Sequence, residues 1–226
     1  MTPALKQRAA ADWARIAQLE HASIASFARF TMQLLAVGAP PQLVEASLRA
    51  GLDEVAHARA TFGLASRYAG APVGPGPLPL EGPVLGALDL ASLATATVAE
   101  GCVNETIGAL EAAEAAGRCE DPEVRAVLER IAEEEARHGE LAWAFVRWSL
   151  GVGGEPTLRA VRRAFARASA ALGSARPPAD SDEVELRRQG LLTDRCRHEI
   201  RARGLREIVE PAAREMGAWP GRSGDA

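Results

Sequence analysis

The stretches DEVAH at residues 53–57 and EEARH at residues 134–138 decide how this sequence is interpreted. Each contains the spacing E-x-x-H, which on an α-helix places a carboxylate and an imidazole one turn apart on the same face. A pair of this kind can bind one metal ion. The two stretches therefore predict two helices that carry metal ligands.

Apolar residues at spacings of three and four surround the first stretch and predict a helical hairpin. The first helix should run over about residues 5–36, with Glu20 inside its apolar stripe. The sequence GAPP at residues 38–41 interrupts the pattern, and the second helix follows with Glu54 and His57 on its apolar face. Because the turn is short, we expect the two helices to be antiparallel neighbours.

A second hairpin is predicted around the second stretch, with helices over about residues 88–116 and 122–150. Asp121 precedes Pro122 and suits the N-cap of the later helix. The segment at about residues 69–86 is rich in proline, which excludes helix and favours an extended crossover. The prediction is an all-α fold, an up-down four-helix bundle with one long crossover.

Glutamates on the first helix of each hairpin complete a repeated pattern. Glu20 precedes Glu54 by 34 residues, and Glu100 precedes Glu135 by 35 residues. This near-equal spacing predicts four carboxylates and two histidines at one level of the bundle. Carboxylates buried together repel one another, and two divalent cations would supply the compensating charge.

The types of donor indicate the metal. The predicted ligands are Glu20, Glu54, His57, Glu100, Glu135 and His138. Histidine together with carboxylate disfavours calcium and magnesium, and the absence of cysteine from the set disfavours structural zinc. Two iron ions are expected, with manganese as the alternative.

Two positions in the third helix compete for the same role. Glu105 follows Glu100 by five residues, which is about 140° around an α-helix, so the two cannot face the centre equally. Glu100 lies on the apolar stripe and is the preferred ligand, while Glu105 is an alternative or accessory ligand. Asp53 and Glu134 directly precede the two motif glutamates, and each could accept the free N–H of the histidine on the opposite helix.

Residues 153–226 differ in character from the predicted bundle at residues 1–152. They contain an arginine-rich amphipathic helix at about residues 158–172, a short helix from Asp182 and a longer helix over about residues 193–216. We expect this helical extension to pack on the bundle or on a second subunit, which would make a homodimer.

Composition limits the partners and the compartment. The chain has 47% hydrophobic and 25% charged residues, a net charge of −4 and a pI near 5.7, so no global charge draws it to nucleic acid or to an anionic membrane. It has no long apolar run and no secretion signal at its start, so a soluble cytoplasmic protein is expected. Cys102, Cys119 and Cys196 lack a CxxC spacing and are expected to be reduced structural thiols.

The chain contains one pattern twice, a single glutamate on one helix and an E-x-x-H motif on the next helix. The first copy is Glu20 with residues 54–57, and the second is Glu100 with residues 135–138. This pattern resembles the ferritin-like di-iron carboxylate superfamily, which includes rubrerythrin, bacterioferritin and several di-iron oxygenases. The resemblance covers about residues 5–150. It implies that the motif glutamates bridge two iron ions, while each single glutamate and each histidine binds one ion. The chain lacks the cysteine-rich module that rubrerythrin uses for electron transfer.

The same resemblance implies an oxidoreductase, an oxidase or oxygenase whose di-iron centre activates O2. A ferroxidase or iron-storage protein is the first alternative. A monooxygenase similar to the di-iron transfer-RNA hydroxylases is the second, because E-x4-E at residues 100–105 resembles their third helix. Thr61, Thr97 and Asn104 are candidate proton donors near the metals. The sequence names neither the substrate nor the electron donor.

Overall fold

The computed structural model describes residues 1–80, 85–86, 88–172 and 175–219, and within these ranges the chain is helical and contains no strand. The prediction of an all-α protein is confirmed. None of the helices in these ranges combines the length and apolar character that crossing a membrane requires. The elements are α1 (Pro3–Ala36), α2 (Pro41–Ala69), α3 (Leu90–Thr97), a first π segment (Val98–Glu105), α4 (Thr106–Arg118), α5 (Pro122–Ala170), α6 (Glu183–Arg188), α7 (Asp194–Gly204), a second π segment (Leu205–Val209) and α8 (Glu210–Glu215).

α1 and α2 form a hairpin whose boundaries follow local sequence signals. Thr2 caps α1, since its hydroxyl accepts a hydrogen bond from the Leu5 amide at 3.2 Å. The turn contains Gly38 with a φ of 68°, and Pro41 opens α2, where its missing amide hydrogen interrupts no helical bond. Gly70 ends α2 in the left-handed conformation. Both predicted helices of this hairpin are therefore present.

The second hairpin consists of a composite helix and α5. α3, the first π segment and α4 follow one another without a break, so the predicted third helix is one continuous helix of changing pitch. Asp89 caps its start by accepting a hydrogen bond from the Ser92 amide at 2.9 Å. Asp121 caps α5, as the sequence predicted, by accepting a hydrogen bond from the Glu123 amide at 2.9 Å.

α5 extends beyond its predicted end near residue 150. It runs to Ala170 with a break at Gly154, whose φ of 58° and ψ of −153° lie outside the helical region. Pro156 follows, and its ring nitrogen cannot donate the hydrogen bond that would continue the first part. The basic helix predicted from residue 158 is therefore the second part of α5, reached by a turn at Gly154 instead of a loop.

The C-terminal elements share their hydrophobic core with the two hairpins. Phe165 in the second part of α5 and Leu205 in the second π segment belong to the same buried cluster as Phe27 and Phe145. α6 and α7 pack against α1 and α4 through a second buried cluster that contains Trp13. The extension and the hairpins are thus packed together, and a domain boundary at residue 152 stays a prediction.

The proline-rich segment after α2 starts and ends at opposite ends of the α1–α2 hairpin. Near its start, the Val73 amide donates a hydrogen bond to the hydroxyl of Ser66, close to the C-terminal end of α2. Toward its end, the Gln33 side chain, close to the C-terminal end of α1, donates to the Leu85 carbonyl at 2.7 Å. Because the two helices are antiparallel, these two contacts lie about one helix length apart. Part of the predicted crossover lies outside the described residues.

Candidate metal centre

Side chains from all four long helical elements meet at one level between the two hairpins. Their carboxylate oxygens and imidazole nitrogens form two groups, and in each group the atoms lie within 4.8 Å of one another. The first group is Glu20, Glu54, His57 and Glu135, and the second is Glu54, Glu105, Glu135 and His138. Glu54 and Glu135 belong to both groups, so the arrangement is one centre with two adjacent positions.

The distances within each group suit one divalent ion. His57 Nδ1 lies 3.5 Å from Glu20 Oε2 and 3.5 Å from Glu135 Oε1. His138 Nδ1 lies 3.3 Å from Glu54 Oε1 and 3.7 Å from Glu135 Oε2. Two atoms bound about 2.1 Å from the same ion can be at most about 4.2 Å apart, and these separations satisfy that limit.

Three buried polar atoms of the centre have no hydrogen-bond partner among the described residues. They are Glu54 Oε2, His57 Nδ1 and His138 Nδ1. Glu54 and His57 are 1% exposed and His138 is 2% exposed, so bulk water does not solvate them. A buried polar atom left unpaired costs roughly 1–3 kcal/mol. Because all three atoms have a lone pair to offer when the carboxylate is ionised and the imidazoles are neutral, they fit a bound metal ion.

The other ring nitrogen of each histidine contacts an acid from the opposite hairpin. His57 Nε2 lies 2.7 Å from Glu134 Oε2, and His138 Nε2 lies 3.4 Å from Asp53 Oδ2. Arg130 donates in turn to Glu134 at 3.1 Å. When Nε2 donates its hydrogen to the acid, Nδ1 keeps its lone pair on the side of the glutamate cluster. The structure therefore places Asp53 and Glu134 in the contacts that the sequence predicted.

Without bound cations, protons balance the carboxylates of this centre. Burial lowers the pKa of His57, but the nearby carboxylates of Glu135, Glu20 and Glu54 outweigh it and raise this pKa to about 12. Burial also lowers the pKa of His138, but the nearby carboxylates of Glu135 and Glu54 outweigh it and raise this pKa to about 9. Burial raises the pKa of Glu20 to about 7. Binding of metal ions must displace these protons.

The third-helix member of the centre is Glu105, so the sequence-based preference for Glu100 is wrong. The side chain of Glu100 is 58% exposed and pairs with Arg29 Nη2 at 2.6 Å on the surface. Glu105 Oε2 lies 3.9 Å from His138 Nδ1. The physical reason is the first π segment, where i→i+5 hydrogen bonds replace the i→i+4 pattern and change the helical register. A helical-wheel projection assumes a constant angle per residue, so it assigns residues to the wrong face of the helix across such a segment.

Gly101 allows the first π segment, whose turn is wider than that of an α-helix, to pack against α5. A Cβ added to Gly101 would lie 2.3 Å from the Cβ of Ala142 on α5. Glycine at this position therefore allows the two backbones to approach closely. The middle of the segment faces α5 through Gly101, while the neighbouring Glu100 is directed to the surface. Hydrophobic periodicity contains no signal for this insertion.

None of the three predicted proton donors lies within the two ligand groups. The hydroxyls of Thr61 and Thr97 donate to carbonyls four residues earlier in their own helices, at 2.8 Å and 2.9 Å. Asn104 is exposed, and its side-chain oxygen accepts a hydrogen bond from Arg201 at 3.4 Å. Thr97 lines a cavity beside His138, and Asn104 lines another beside Glu20 and Glu105, so proton delivery by the three side chains stays a prediction.

Two cavities reach the centre from different sides. An apolar cavity of about 50 Å³ lies between α1, α3 and α5, and Phe27 and His138 are among the residues that line it. A second cavity of about 280 Å³ lies between α1, α4 and the C-terminal elements and reaches Glu20 and Glu105. Apolar atoms make up more than half of its lining, and it is called the polar cavity because arginines and glutamates supply most of the rest. Sequence analysis named the glutamates and His138 at these cavities but missed lining residues such as Phe27 and Trp13, because only the folded chain brings their elements together.

No family model, curated protein or solved structure matches the chain. The function is therefore inferred from the chemistry of the centre alone. The described residues contain a buried cluster of glutamates and histidines that could hold metal ions.

Proposed function

We propose that this chain is a non-haem di-iron protein of the ferritin-like four-helix type, an oxidoreductase that uses O2 to oxidise a substrate. The proposal depends above all on the two overlapping groups that share Glu54 and Glu135. One structural ion needs only one group of ligands. Two groups with common carboxylates are the arrangement of a two-ion carboxylate centre.

The charge of the centre favours two divalent transition-metal ions. Its four glutamates carry four negative charges when ionised, and two ions of charge +2 balance them. Neutral imidazole with carboxylate suits iron or manganese better than calcium or magnesium, and no cysteine among the described residues joins the cluster to favour structural zinc. When bound, iron supplies the redox chemistry with O2 that amino-acid side chains lack.

Each residue of the centre has a distinct task in this proposal. Glu54 and Glu135 would hold both ions, since each belongs to both groups. Glu20 and Glu105 each bind one ion together with the histidine of their group. The acids behind the histidines keep each imidazole in the tautomer that has a lone pair on Nδ1.

The apolar cavity suits a small uncharged molecule such as O2. Phe27 stands edge-on to His138 with ring centroids 4.9 Å apart, and Phe30 and Leu93 line the same space. The volume of about 50 Å³ can hold a diatomic molecule and is far below the roughly 300 Å³ at which pockets for organic ligands begin. A larger organic molecule does not fit beside His138 without movement of these walls, and the apolar lining keeps water away from this side.

Metal analysis and O2 reactivity test the proposal together. The purified chain loaded with Fe(II) under nitrogen should hold about two irons, and O2 should oxidise them in a single turnover. Size-exclusion chromatography of the same sample separates an enzyme from a storage protein, because a large assembly with many irons per chain would identify storage. A chain that binds no iron or manganese contradicts both functions.

A pair of variants on one helix shows whether the loading is specific. Glu135→Ala removes a shared carboxylate and should abolish iron binding. Glu133→Ala changes an exposed glutamate of α5 and should leave the iron content unchanged. Equal iron content in the two variants would mean that the iron binds elsewhere.

A further inference from the structure

The side chains of the candidate metal centre differ in how much of each one touches solvent. Those of Glu54 and His57 are 1% exposed, and that of His138 is 2% exposed. Glu20 is 15% exposed and Glu105 is 19% exposed, which makes them the two most accessible members of the ligand groups. An ion that arrives from solution therefore meets these two carboxylates before it meets the other donors.

Both of these carboxylates border the polar cavity between α1, α4 and the C-terminal elements. Glu135, which belongs to both ligand groups, borders it as well. Arg15 and Leu19 also line this cavity and are exposed, so it opens to solvent on their side. Its volume of about 280 Å³ is several times the roughly 30 Å³ that one water takes up in the liquid. The cavity therefore has room for an ion that keeps part of its hydration shell.

The charged side chains around the polar cavity favour a cation. Four glutamates and two arginines line it. Arg197 already pairs with Glu111 in the wall, so Arg15 is left, among the described lining residues, to oppose the three glutamates of the centre. A cleft with an excess of one charge raises the local concentration of ions of the opposite sign. A divalent ion that reaches the inner end can displace the protons that balance the carboxylates there.

Two other spaces near the centre suit an incoming ion less well. The apolar cavity beside Phe27 has about 50 Å³ and offers little polar surface, so a divalent ion would lose water there without replacement. A pocket of about 420 Å³ between α2 and α5 leads to Asp53 and His138. Asp53 contacts Nε2 of this histidine at 3.4 Å, whereas a metal ion would bind Nδ1. Neither space leads an ion to Glu20.

We propose that the polar cavity is the route by which divalent metal ions enter the centre, and that Glu20 and Glu105 are the first ligands they meet. The more deeply buried Glu54, His57 and His138 complete the coordination. The inference rests on the proposed function, since it requires that the centre binds metal. It predicts that changes in the cavity alter the rate of metal uptake and leave the amount bound at equilibrium unchanged.

Stopped-flow mixing of the metal-free chain with Co(II) under nitrogen measures the rate of uptake, because the visible absorption of Co(II) changes when carboxylates and imidazoles replace its water. Leu19 lines the cavity and is 58% exposed, so a charge can be introduced there without burial. Leu19→Lys should slow uptake and Leu19→Glu should speed it, with rates at least about tenfold apart at low ionic strength. The difference should shrink at about 1 M salt, where the Debye length is about 3 Å.

The matched control is the same pair of changes at Leu52. This side chain is 71% exposed and lines none of the three spaces beside the centre. It lies on α2 close to Glu54 in the sequence, so Leu52→Lys and Leu52→Glu alter the charge near the centre on another face. Their uptake rates should differ by at most about threefold.

Gly108→Leu gives an independent variant that changes no charge. Gly108 lines the polar cavity, and a Cβ added there would meet only Glu135, with Oε2 at 3.6 Å. A leucine therefore fits and extends into the inner end of the cavity, where its apolar surface should slow Co(II) uptake at least about tenfold. Gly63→Leu on α2 is its control, because a Cβ at Gly63 meets nothing within 4 Å and lies outside this cavity.

Every variant should bind about two Co(II) ions at equilibrium, which also shows that its centre has folded. Wild-type uptake rates in Leu19→Lys, Leu19→Glu and Gly108→Leu overturn the proposed route alone. A pair at Leu52 that differs as much as the pair at Leu19 overturns it as well, because the effect would then not depend on the cavity. A wild-type chain that binds no Co(II) overturns the route together with the proposed function.

Discussion

The two halves of the candidate metal centre contain the same motif in different surroundings. In the half around His57, the contact from Nε2 to Glu134 is 2.7 Å. In the half around His138, the corresponding contact to Asp53 is 3.4 Å, and the carboxylate of Glu105 comes from a π segment. The repeated E-x-x-H thus specifies which donors meet, while the neighbouring elements set the geometry of each half.

The halves also differ in what can approach them. The half around His138 borders the apolar cavity and the ring of Phe27. The half around His57 receives Glu20, which borders the polar cavity. Glu105 borders the polar cavity as well, so the half around His138 borders both cavities, whereas the half around His57 borders the polar cavity alone. The two halves have similar ligands but differ in the cavities that border them.

Loss of a shared glutamate should remove both halves at once. Glu54→Ala deletes a carboxylate that belongs to both groups, so iron should fall from about two per chain to near zero. Atomic absorption after desalting measures it. Glu45→Ala, at an exposed position of α2, should retain the wild-type content. One iron retained in Glu54→Ala would show that the two positions fill independently.

Loss of an unshared glutamate should remove one half only. Glu20→Ala should empty the position beside His57, and Glu105→Ala the position beside His138, each leaving about one iron per chain. Glu100→Ala should leave about two, because this side chain lies on the surface with Arg29. Metal analysis of the three variants side by side measures these iron contents. Iron lost from Glu100→Ala and kept by Glu105→Ala would reverse the assignment of the third helix.

The pH dependence of metal binding should separate the halves by their histidines. Burial lowers the pKa of each, but neighbouring carboxylates outweigh it and raise it to about 12 for His57 and about 9 for His138. Metal binding releases these protons, so Mn(II) affinity should rise with pH by about tenfold per unit for each proton displaced. Above pH 9, His138 has already lost its proton, and the slope of log affinity should fall by about one.

Anaerobic titration with Mn(II), followed by electron paramagnetic resonance of the free ion, measures this slope. The variant His138→Ala should lack the change near pH 9. An affinity independent of pH would contradict the binding of metal through these histidines.

The acids behind the histidines should have the smallest effects and should differ from each other. Glu134→Ala and Asp53→Ala should each weaken Mn(II) binding by about 10–100-fold. Glu134→Ala should have the larger effect, because its contact with the imidazole is 2.7 Å against 3.4 Å for Asp53. Competition with a chelator gives both affinities, and Glu133→Ala on α5 serves as the neutral control. A larger loss in Asp53→Ala would mean that these distances do not rank the two halves.

Elements that depend on local signals could be predicted from the sequence. The boundaries of α1 and α2 follow from apolar spacing with glycine and proline at the turn. The cap at Asp121 follows from its place before Pro122. The contacts of Asp53 and Glu134 could be predicted as well, because a repeated motif on facing helices leaves few other partners for the histidines.

Features that depend on packing between distant segments could not be predicted. The choice between Glu100 and Glu105 depends on the first π segment, which in turn fits only because Gly101 meets Ala142. The length of α5 depends on one backbone conformation at Gly154. Hydrophobic periodicity of 3.6 residues reveals neither a π segment nor a break inside a helix.

The buried cluster around Trp13 connects segments that are far apart in the chain. Trp13 on α1 packs in the same cluster as Leu186 on α6 and Ile200 on α7. Contacts between such distant residues form late, because a long loop must close before they are made. During synthesis, the helix that carries Glu20 therefore stays partly uncovered until residues up to about 200 have left the ribosome.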